Sequence, residues 1–566
     1  MFKKVCLSLL MCVLAVGLFT SCKTKLNPLT SQNIKAEPQP LEMVAGKVPV
    51  TINATFPQKW FNKKLTLVVT PVLRYDGGEA TGTSYTYQGE KVVGNGQTIS
   101  YENGGNVVLK STFDYIPAMH NSQLYLVFQA LVGKKEIALP AVQIADGVLS
   151  TAGLLNAGSE NASIAPDKFQ RIIQEAHDAN ILFLIQQAEL RAGELKKGEV
   201  TQWKDIVSQA YSASNQKVNV EISSYASPDG GYTLNEKLAE KREGNTEKYL
   251  NSELKKANVD VPVNARYTAQ DWDGFKALVE KSNIQDKDLI LRVLSMYSDS
   301  EQREREIKNI SAVYSNLADE ILPQLRRSRL TANVEIIGKS DEEIAVVASS
   351  NPKSLTVEEL LYAAALAKTT DAKGAIYQKV TELYPKDARG FNNLGAIEYA
   401  KGNIAKAESL FNQANSLAGN LPQANLNLGW VALANNDAAK AEQYFGKAAG
   451  VPELNNAVGY LAAQKGNYAQ AAQSFGQAAT NNAALAQILN KDYNTALKTL
   501  NAVAAPNAQT SYLKAIVGAR TNDLNTVTTN LKNAVKLDPS LATYALGDVE
   551  FAKFVANAAF LSAVTK

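Results

Sequence analysis

Several columns of residues recur in phase near the carboxyl end of this chain, and they constrain its fold more than any other feature. The first column is the pair Leu394-Gly395, Leu428-Gly429 and Val458-Gly459, with separations of 34 and 30 residues. The other columns with these separations are Ala407, Ala441 and Ala471, then Phe411, Phe445 and Phe475, then Ala414, Ala448 and Ala478. Such a period indicates stacked units that each pack on their neighbours. We therefore predict a repeat array over residues 355–566.

These columns resemble those of tetratricopeptide repeats, whose small residues let paired helices touch while the aromatic residue fills the gap behind them. The resemblance implies an all-α solenoid with a C-terminal cap and a concave groove. Asn393, Asn427, Trp430 and Tyr460 fall on or near the positions that line this groove. Asparagine can donate to and accept from an extended peptide backbone, and aromatic faces provide anchors, so a protein partner is an expected ligand. Alternatively, the asparagines only stabilise the fold. Trp430, a large aromatic residue, favours contact with a partner.

A strand, a turn and a helix follow one another over residues 218–250. Val218, Val220 and Ile222 alternate with polar residues, as in a half-buried strand. A Ser-Pro-Asp-Gly-Gly turn comes next, and apolar residues then form one face of a helix. The arrangement predicts polar side chains at the end of a strand, where they could surround a ligand.

The same stretch resembles the C-terminal domain of the OmpA family, whose helix carries Asn-x-x-Leu-Ser-x-x-Arg. Asn235, Leu238, Ala239 and Arg242 stand at those offsets. The resemblance covers about residues 179–338, with a first strand at residues 181–185, and helical patterns on either side of that strand place the domain at residues 163–338. It implies an α/β domain with a helical insertion.

Domains of this family bind peptidoglycan, so the resemblance implies the same ligand here. Arg242 would bind the carboxylate of diaminopimelate, since a guanidinium binds carboxylates through two parallel hydrogen bonds. The family's aspartate position falls on Ser227, and the nearest acid, Asp229, lies two residues further on. The candidate wall-binding residues are therefore Ser227, Asp229, Asn235 and Arg242. The alternative is a solvated helix arginine beside an ordinary turn.

The amino end has the pattern of a secretory signal. Two lysines precede an apolar run over residues 5–19 and a small pair before Cys22, which predicts a signal peptide over residues 1–21. The cysteine resembles the lipobox of bacterial lipoproteins, where it becomes the first mature residue and is acylated. The resemblance implies that acyl chains on Cys22 hold the protein to the outer membrane of a Gram-negative cell. In lipoproteins of this type an acidic run just after the cysteine accompanies surface display; since no acidic residue precedes Glu37, the resemblance favours the periplasmic face over the surface.

Two further segments precede the α/β domain. Residues 22–40 contain Pro28, Pro38 and Pro40, which predicts an extended tether. From residue 41 to 155 apolar residues alternate with a period of two between frequent glycine-containing turns. This pattern predicts an all-β sandwich of about seven strands.

Composition and motif searches argue against several classes of function. The three cysteines lie at or before Cys22, and His120 and His177 are far apart, so we expect neither disulfides nor a metal site in the body of the chain. A net charge of +3 without a basic block argues against nucleic-acid binding. We find no phosphate loop, nucleophile elbow or zinc-protease motif, and we expect no cofactor and no catalytic residue.

These observations combine into one hypothesis and one alternative. The hypothesis is a non-enzymatic, lipid-anchored adaptor of the cell envelope, whose α/β domain contacts peptidoglycan and whose repeats bind a protein partner. The alternative is a subunit of an outer-membrane protein complex, in which the α/β domain no longer binds the wall. The identity of the partner and the oligomeric state are not encoded in any of these patterns.

Overall fold

The computed structural model describes residues 26–284, 287–309 and 315–565. The signal segment and Cys22 lie outside the described residues. The chain divides into two compact units. The first unit joins the residues up to Ala165 with Tyr377–Lys566, and the second unit is Pro166–Ile376. The amino-terminal and carboxyl-terminal parts of the chain therefore fold together, and the α/β domain is inserted between them.

The amino-terminal part of the first unit is built from sheets, as the alternating pattern predicted. Its strands are β1 Ile34–Glu37, β2 Leu41–Glu42, β3 Lys47–Phe56, β4 Leu65–Tyr75, β5 Gly78–Thr81, β6 Tyr85–Gly89, β7 Gln97–Ile99, β8 Gly105–Asp114, β9 Ser122–Val132, β10 Lys135–Ile137, β11 Val142–Asp146 and β12 Val148–Leu149. One sheet has the order β1-β3-β8, and another has the order β10-β9-β4-β6-β7. Both contribute to one core, which includes Ile52, Leu67, Leu109 and Leu126.

The sheet begins earlier than the sequence predicted. Residues 34–37 were assigned to the tether, whereas β1 pairs antiparallel with β3, so that Ile34 lies opposite Ala54 and Glu37 opposite Thr51. Ile34 and Ala36 are buried while Lys35 and Glu37 are exposed. This alternation makes the segment a strand, and Pro38 and Pro40 come only after it ends.

The second unit contains a mixed sheet covered by helices. Its strands are β13 Ile172–Leu182, β14 Gln216–Tyr225, β15 Val263–Thr268 and β16 Arg327–Ile337, in the order β13-β16-β14-β15. β16 is antiparallel to both of its neighbours, and β15 is parallel to β14. The helices are α1 Ala192–Leu195, α2 Gly198–Ser212, α3 Tyr232–Lys256, α4 Trp272–Lys281, α5 Lys287–Met296, α6 Ser300–Asn309, α7 Leu322–Leu325, α8 Asp341–Ser350 and α9 Val357–Leu366.

One face of this sheet is apolar and the other is polar. Val220, Ile222, Leu330 and Ala332 share a core with Trp203 of α2. The opposite face carries the polar residues that alternate with them. The sequence places the first strand at residues 181–185, whereas the strand runs over Ile172–Leu182; residues 163–171 are not helical. Ile172 and Ile173 are exposed, so the early part of β13 lacks the burial that a hydrophobic pattern would show.

Paired helices form the carboxyl-terminal part of the first unit, which confirms the predicted repeat array. The helices are α10 Thr370–Leu383, α11 Ala388–Ala400, α12 Ile404–Ala418, α13 Pro422–Ala434, α14 Ala438–Phe445, α15 Leu454–Gln464, α16 Tyr468–Phe475, α17 Asn481–Leu489, α18 Tyr493–Ala502, α19 Ala508–Arg520, α20 Leu524–Leu537, α21 Leu541–Gly547 and α22 Ala558–Val564. Phe411, Phe445 and Phe475 pack on Gly395, Gly429 and Gly459 respectively. A Cβ atom on Gly429 would lie 2.2 Å from the Phe445 ring, so only glycine allows this helix pair to approach so closely.

Candidate functional sites

The repeat groove is occupied by the protein's own chain. We call residues 154–165 the strap; they run along the helices that line the groove, with one short 3-10 turn at Ala157–Ser159. Asn393 of α11 accepts from the backbone N–H of Ala165 at 2.7 Å and donates to its carbonyl at 2.9 Å. Asn427 of α13 does the same with Ser163, at 2.6 and 2.8 Å. These two asparagines therefore bind a peptide backbone, and that backbone belongs to the strap.

A third asparagine completes the ladder. Asn482 of α17 accepts from the backbone N–H of Asn156 at 3.0 Å and donates to its carbonyl at 2.8 Å. We did not identify Asn482 from the sequence because its repeat unit is shorter. Gly459 corresponds to Ala484, and Phe475 to Leu500, an offset of 25 residues in both columns. Asn482 lies two residues before the small residue, as Asn393 and Asn427 do, so this offset was the signal that could have revealed it.

Glu160 anchors the middle of the strap. Its carboxylate accepts from Asn482 at 2.9 Å, from Asn456 at 3.2 Å and from Thr480 at 3.3 Å. The residue is only 3% exposed, and burial raises the pKa of its carboxyl while these hydrogen bonds oppose the rise. The groove therefore holds an acidic side chain of the strap with neutral donors, so its protonation influences how firmly the strap is held.

The two aromatic candidates pack inside the repeats. Trp430 is 1% exposed, and its ring contacts those of Phe445 and Tyr460 at centroid distances of 5.4 and 5.6 Å. Tyr460 is also buried, and it forms a hydrogen bond with the backbone of Ala157 in the strap. Tyr399, which we had not singled out, donates from its hydroxyl to the carbonyl of Ala157 at 3.0 Å. The structure thus brings the four predicted groove residues into one region, where the asparagines and Tyr460 contact the strap and Trp430 belongs to the helix core.

A second set of contacts joins the sheets to the end of the repeats. The His120 ring stacks on Tyr544 at 4.1 Å, and its Nδ1 lies 2.9 Å from the hydroxyl of Ser150. Thr151 donates to Glu550, which also forms an ion pair with Arg520 in which the Glu550 side chain is 3% exposed. The strap is therefore fixed beyond its amino end as well as along the groove.

Arg242 of α3 is completely buried. Its Nε donates to the carbonyl of Gln187 at 2.9 Å, Nη1 to that of Tyr225 at 2.8 Å and Nη2 to that of Leu184 at 3.2 Å. The Phe183 ring lies 5.0 Å from the guanidinium carbon. Burial, and secondarily the positive charge of Arg326, lower the pKa of Arg242 to about 10. The side chain therefore ties the segment after β13 to the end of β14.

The other three motif residues point elsewhere. Asp229 forms an ion pair with Arg326 at 3.2 Å, and Ser227 donates to Asp229 while accepting from Arg326 Nε at 3.3 Å. Asn235 donates to the carbonyls of Ser227 and Gly230 at 3.0 and 2.8 Å. Hydrogen bonds among its own residues thus hold the turn, and the charge of Asp229 is neutralised by Arg326. The sequence did not identify Arg326 as a site residue.

Residues 26–284, 287–309 and 315–565 contain no cluster of histidine, cysteine, aspartate and glutamate side chains that could hold a metal ion. Among the helices of these same residues, none has the length and apolar character needed to cross a membrane.

Comparisons with known proteins gave structural likenesses and no relatives by sequence. No family model and no curated protein matches this chain. A tetratricopeptide repeat protein from Parabacteroides merdae is 14% identical over 40% of this chain and 91% of its own, with a TM-score of 0.28. Pseudomonas aeruginosa pilF is 17% identical over 38% and 99%, with a TM-score of 0.27, and yeast Tom70 is 14% identical over 56% and 76%, with a TM-score of 0.25. At these scores the repeat assignment depends on the helix pairs described above.

Proposed function

We propose that this protein is a non-enzymatic, lipid-anchored adaptor of the cell envelope whose repeats bind a protein partner in extended conformation. The observation that supports this proposal is the ladder formed by Asn393, Asn427 and Asn482. These side chains hydrogen-bond to the backbone N–H and C=O of a peptide, so they can bind segments with different side chains. A partner segment with small residues, like Ala157, Ser163 and Ala165 of the strap, would make the same hydrogen bonds.

A partner competes with the strap for this groove. The strap is covalently attached, so its effective concentration at the groove is on the order of millimolar, and it excludes a weak free peptide. A partner therefore binds only if its segment has a higher affinity for the groove than the strap has, or if the strap is released.

A fluorescent peptide with the sequence of residues 154–167 tests the groove directly. It should bind a variant whose residues 154–165 are replaced by a Gly/Ser linker, and it should bind wild type weakly because the strap competes. Adding Asn393→Ala and Asn427→Ala to the linker variant should weaken binding by at least about tenfold, since two pairs of backbone hydrogen bonds are lost. Asn412→Ala, an exposed asparagine of α12, is the matched control. Equal binding by all variants would contradict the proposal.

For the OmpA-like domain we propose the role of a protein contact or spacer in an outer-membrane complex. Wall binding through Arg242 is the competing function, and it would require a guanidinium that is free to meet a carboxylate. Sedimentation with purified peptidoglycan should give equal, weak retention of wild type and Arg242→Ala, provided that circular dichroism shows the variant to be folded. Strong retention of wild type alone would instead establish wall binding.

The anchor proposal depends on Cys22 and on the pattern before it. Labelled palmitate should be incorporated into wild type and not into Cys22→Ala, because the acyl chains attach to that cysteine. Fractionation should then recover only wild type in the outer membrane. Absence of label from wild type would refute the anchor without bearing on the groove.

A further inference from the structure

The polar face of the sheet in the second unit carries its charges in rows. Strand register places Arg266 beside Ser223, Ser223 beside Arg329, and Arg329 beside Asn180, and we call these four residues the arginine row. The next row on one side contains Asp178 and Glu221, since both pair with Thr331. The row on the other side pairs Tyr225 with Thr268 and Leu182 with Arg327. Two guanidinium groups thus share one row of a sheet face.

The arginines of this face differ in how they are neutralised. Arg327 forms an ion pair with Asp271 at 2.8 Å, and both side chains are largely buried, with 14% and 6% exposed. Arg266 leaves 67% of its side chain exposed, and its Nη2 lies 3.6 Å from Glu221. Arg329 donates from Nη2 to the neutral hydroxyl of Tyr225 at 3.2 Å. Nε of Arg266 donates to the hydroxyl of Ser223 at 3.0 Å, so both arginines of the row hydrogen-bond to neutral hydroxyls, and Arg266 also has the ion pair with Glu221.

Two buried polar atoms of the row have no partner within the described residues. They are Nε of Arg329 and Oδ1 of Asn180, which belong to directly opposed residues on adjacent strands. A buried donor without an acceptor destabilises the fold, so such atoms are expected where water or a ligand supplies the missing hydrogen bond.

These atoms lie at a cavity. The cavity has a volume of about 1030 Å³ and is lined by Asn180, Tyr225, Arg266, Arg327 and Arg329, with Asp271 and Trp272 at the start of α4 forming another wall. Ser227, Asp229, Asn235 and Arg242 do not line it. Its size is that of a site for a small molecule.

We propose that this cavity binds a small molecule through a carboxylate group held by Arg329 and Arg266. A guanidinium edge with a free Nε–H matches the two oxygens of a carboxylate. Arg303 is the fourth arginine of the cavity lining. The four arginines are balanced by four acidic side chains that also line the cavity, so polyanions gain no net attraction there; these are Asp178, Glu199, Asp271 and Asp273. A ligand with a single carboxylate, or with two that are well separated, suits this distribution.

Calorimetric titration of the full-length protein with glutarate, acetate and inorganic phosphate tests the assignment. Glutarate or acetate should bind, and Arg329→Gln should weaken that binding by at least about tenfold, since a charge-assisted pair is removed. Arg329→Lys should also weaken it, because lysine keeps the charge and loses the planar pair of donors. Arg292→Gln, an exposed arginine of α5, should bind as wild type does.

Three outcomes would overturn the proposal. The first is carboxylate binding that is the same in wild type, Arg329→Gln and Arg329→Lys, with all three shown to be folded by thermal unfolding. The second is tighter binding of phosphate than of glutarate, which would assign the cavity to another class of anion. Absence of binding by either carboxylate to wild type would also refute it.

Discussion

The guanidinium group of Arg242 stabilises the fold of the second unit. Its three nitrogens each donate to a backbone carbonyl, so the residue joins three chain segments. Arg242→Met keeps much of the volume and leaves these acceptors without a donor. Each unsatisfied buried acceptor costs about 1–3 kcal/mol, so we expect the second unit to lose about 3 kcal/mol or more. Calorimetric unfolding measures this.

A matched change provides the control for Arg242. Arg292 of α5 is exposed, and Arg292→Met should alter stability by no more than about 0.5 kcal/mol. Similar unfolding temperatures for both variants would show that the buried guanidinium contributes little.

The buried carboxyl of Glu160 should make the stability of the first unit depend on pH. Burial raises the pKa of its carboxyl above the ordinary value, so the folded protein binds a proton that the unfolded chain has already released. The stability that this residue contributes is therefore fully present below about pH 4.3, the pKa in unfolded chains, and it is lost as the pH rises through the folded pKa. Glu160→Gln does not titrate, so its unfolding temperature should approach or exceed that of wild type as the pH rises towards 7.

Thermal unfolding of both proteins at several pH values measures this difference. Glu442→Gln, which changes an exposed glutamate of α14, should leave the pH profile of wild type unchanged. A difference between wild type and Glu160→Gln that stays constant with pH would rule out titration of Glu160 in this range.

At the scale of the element, the helix pairs depend on glycine where two helices touch. Gly429→Ala would place a Cβ atom 2.2 Å from the Phe445 ring, so the ring must leave its site. Overpacking of this kind costs about 1–3 kcal/mol, and we expect a lower unfolding temperature for the first unit. Gly244 of α3 has nothing within 4 Å of its added Cβ, so Gly244→Ala should stabilise α3 by about 0.5–1 kcal/mol. Equal effects of the two substitutions would show that helix contact is not the cause.

At the scale of the whole molecule, the first unit is assembled from distant parts of the chain. The bond from Ser163 to Asn427 joins residues 264 apart, and the contact of His120 with Tyr544 joins residues 424 apart. If a protease site is inserted between Asp167 and Lys168 and then cut, the two fragments should elute together in gel filtration. Combined Asn393→Ala, Asn427→Ala and Asn482→Ala changes should increase the fraction that separates. Separation of the wild-type fragments would contradict this assembly.

The sequence by itself determined the parts of the protein that depend on short periods. Columns at 34 and 30 residues predicted the helix pairs, and Gly429 and Phe445 meet because each pair repeats one local contact. Alternation with period two predicted the amino-terminal strands for the same reason. Both patterns report which side of an element is buried, and a single stretch of chain contains that information.

Only the tertiary structure decided what the polar residues touch. The amide side chains of Asn393 and Asn427 predicted that they bind a peptide backbone. In the folded protein that backbone is the strap. The spacing around Arg242 matched a ligand-binding motif. In the fold, its three nitrogens donate hydrogen bonds to the backbone carbonyls of Gln187, Tyr225 and Leu184. A polar side chain is satisfied by whichever donor or acceptor the folded chain brings within about 3 Å, and distant segments meet only when the whole chain has folded.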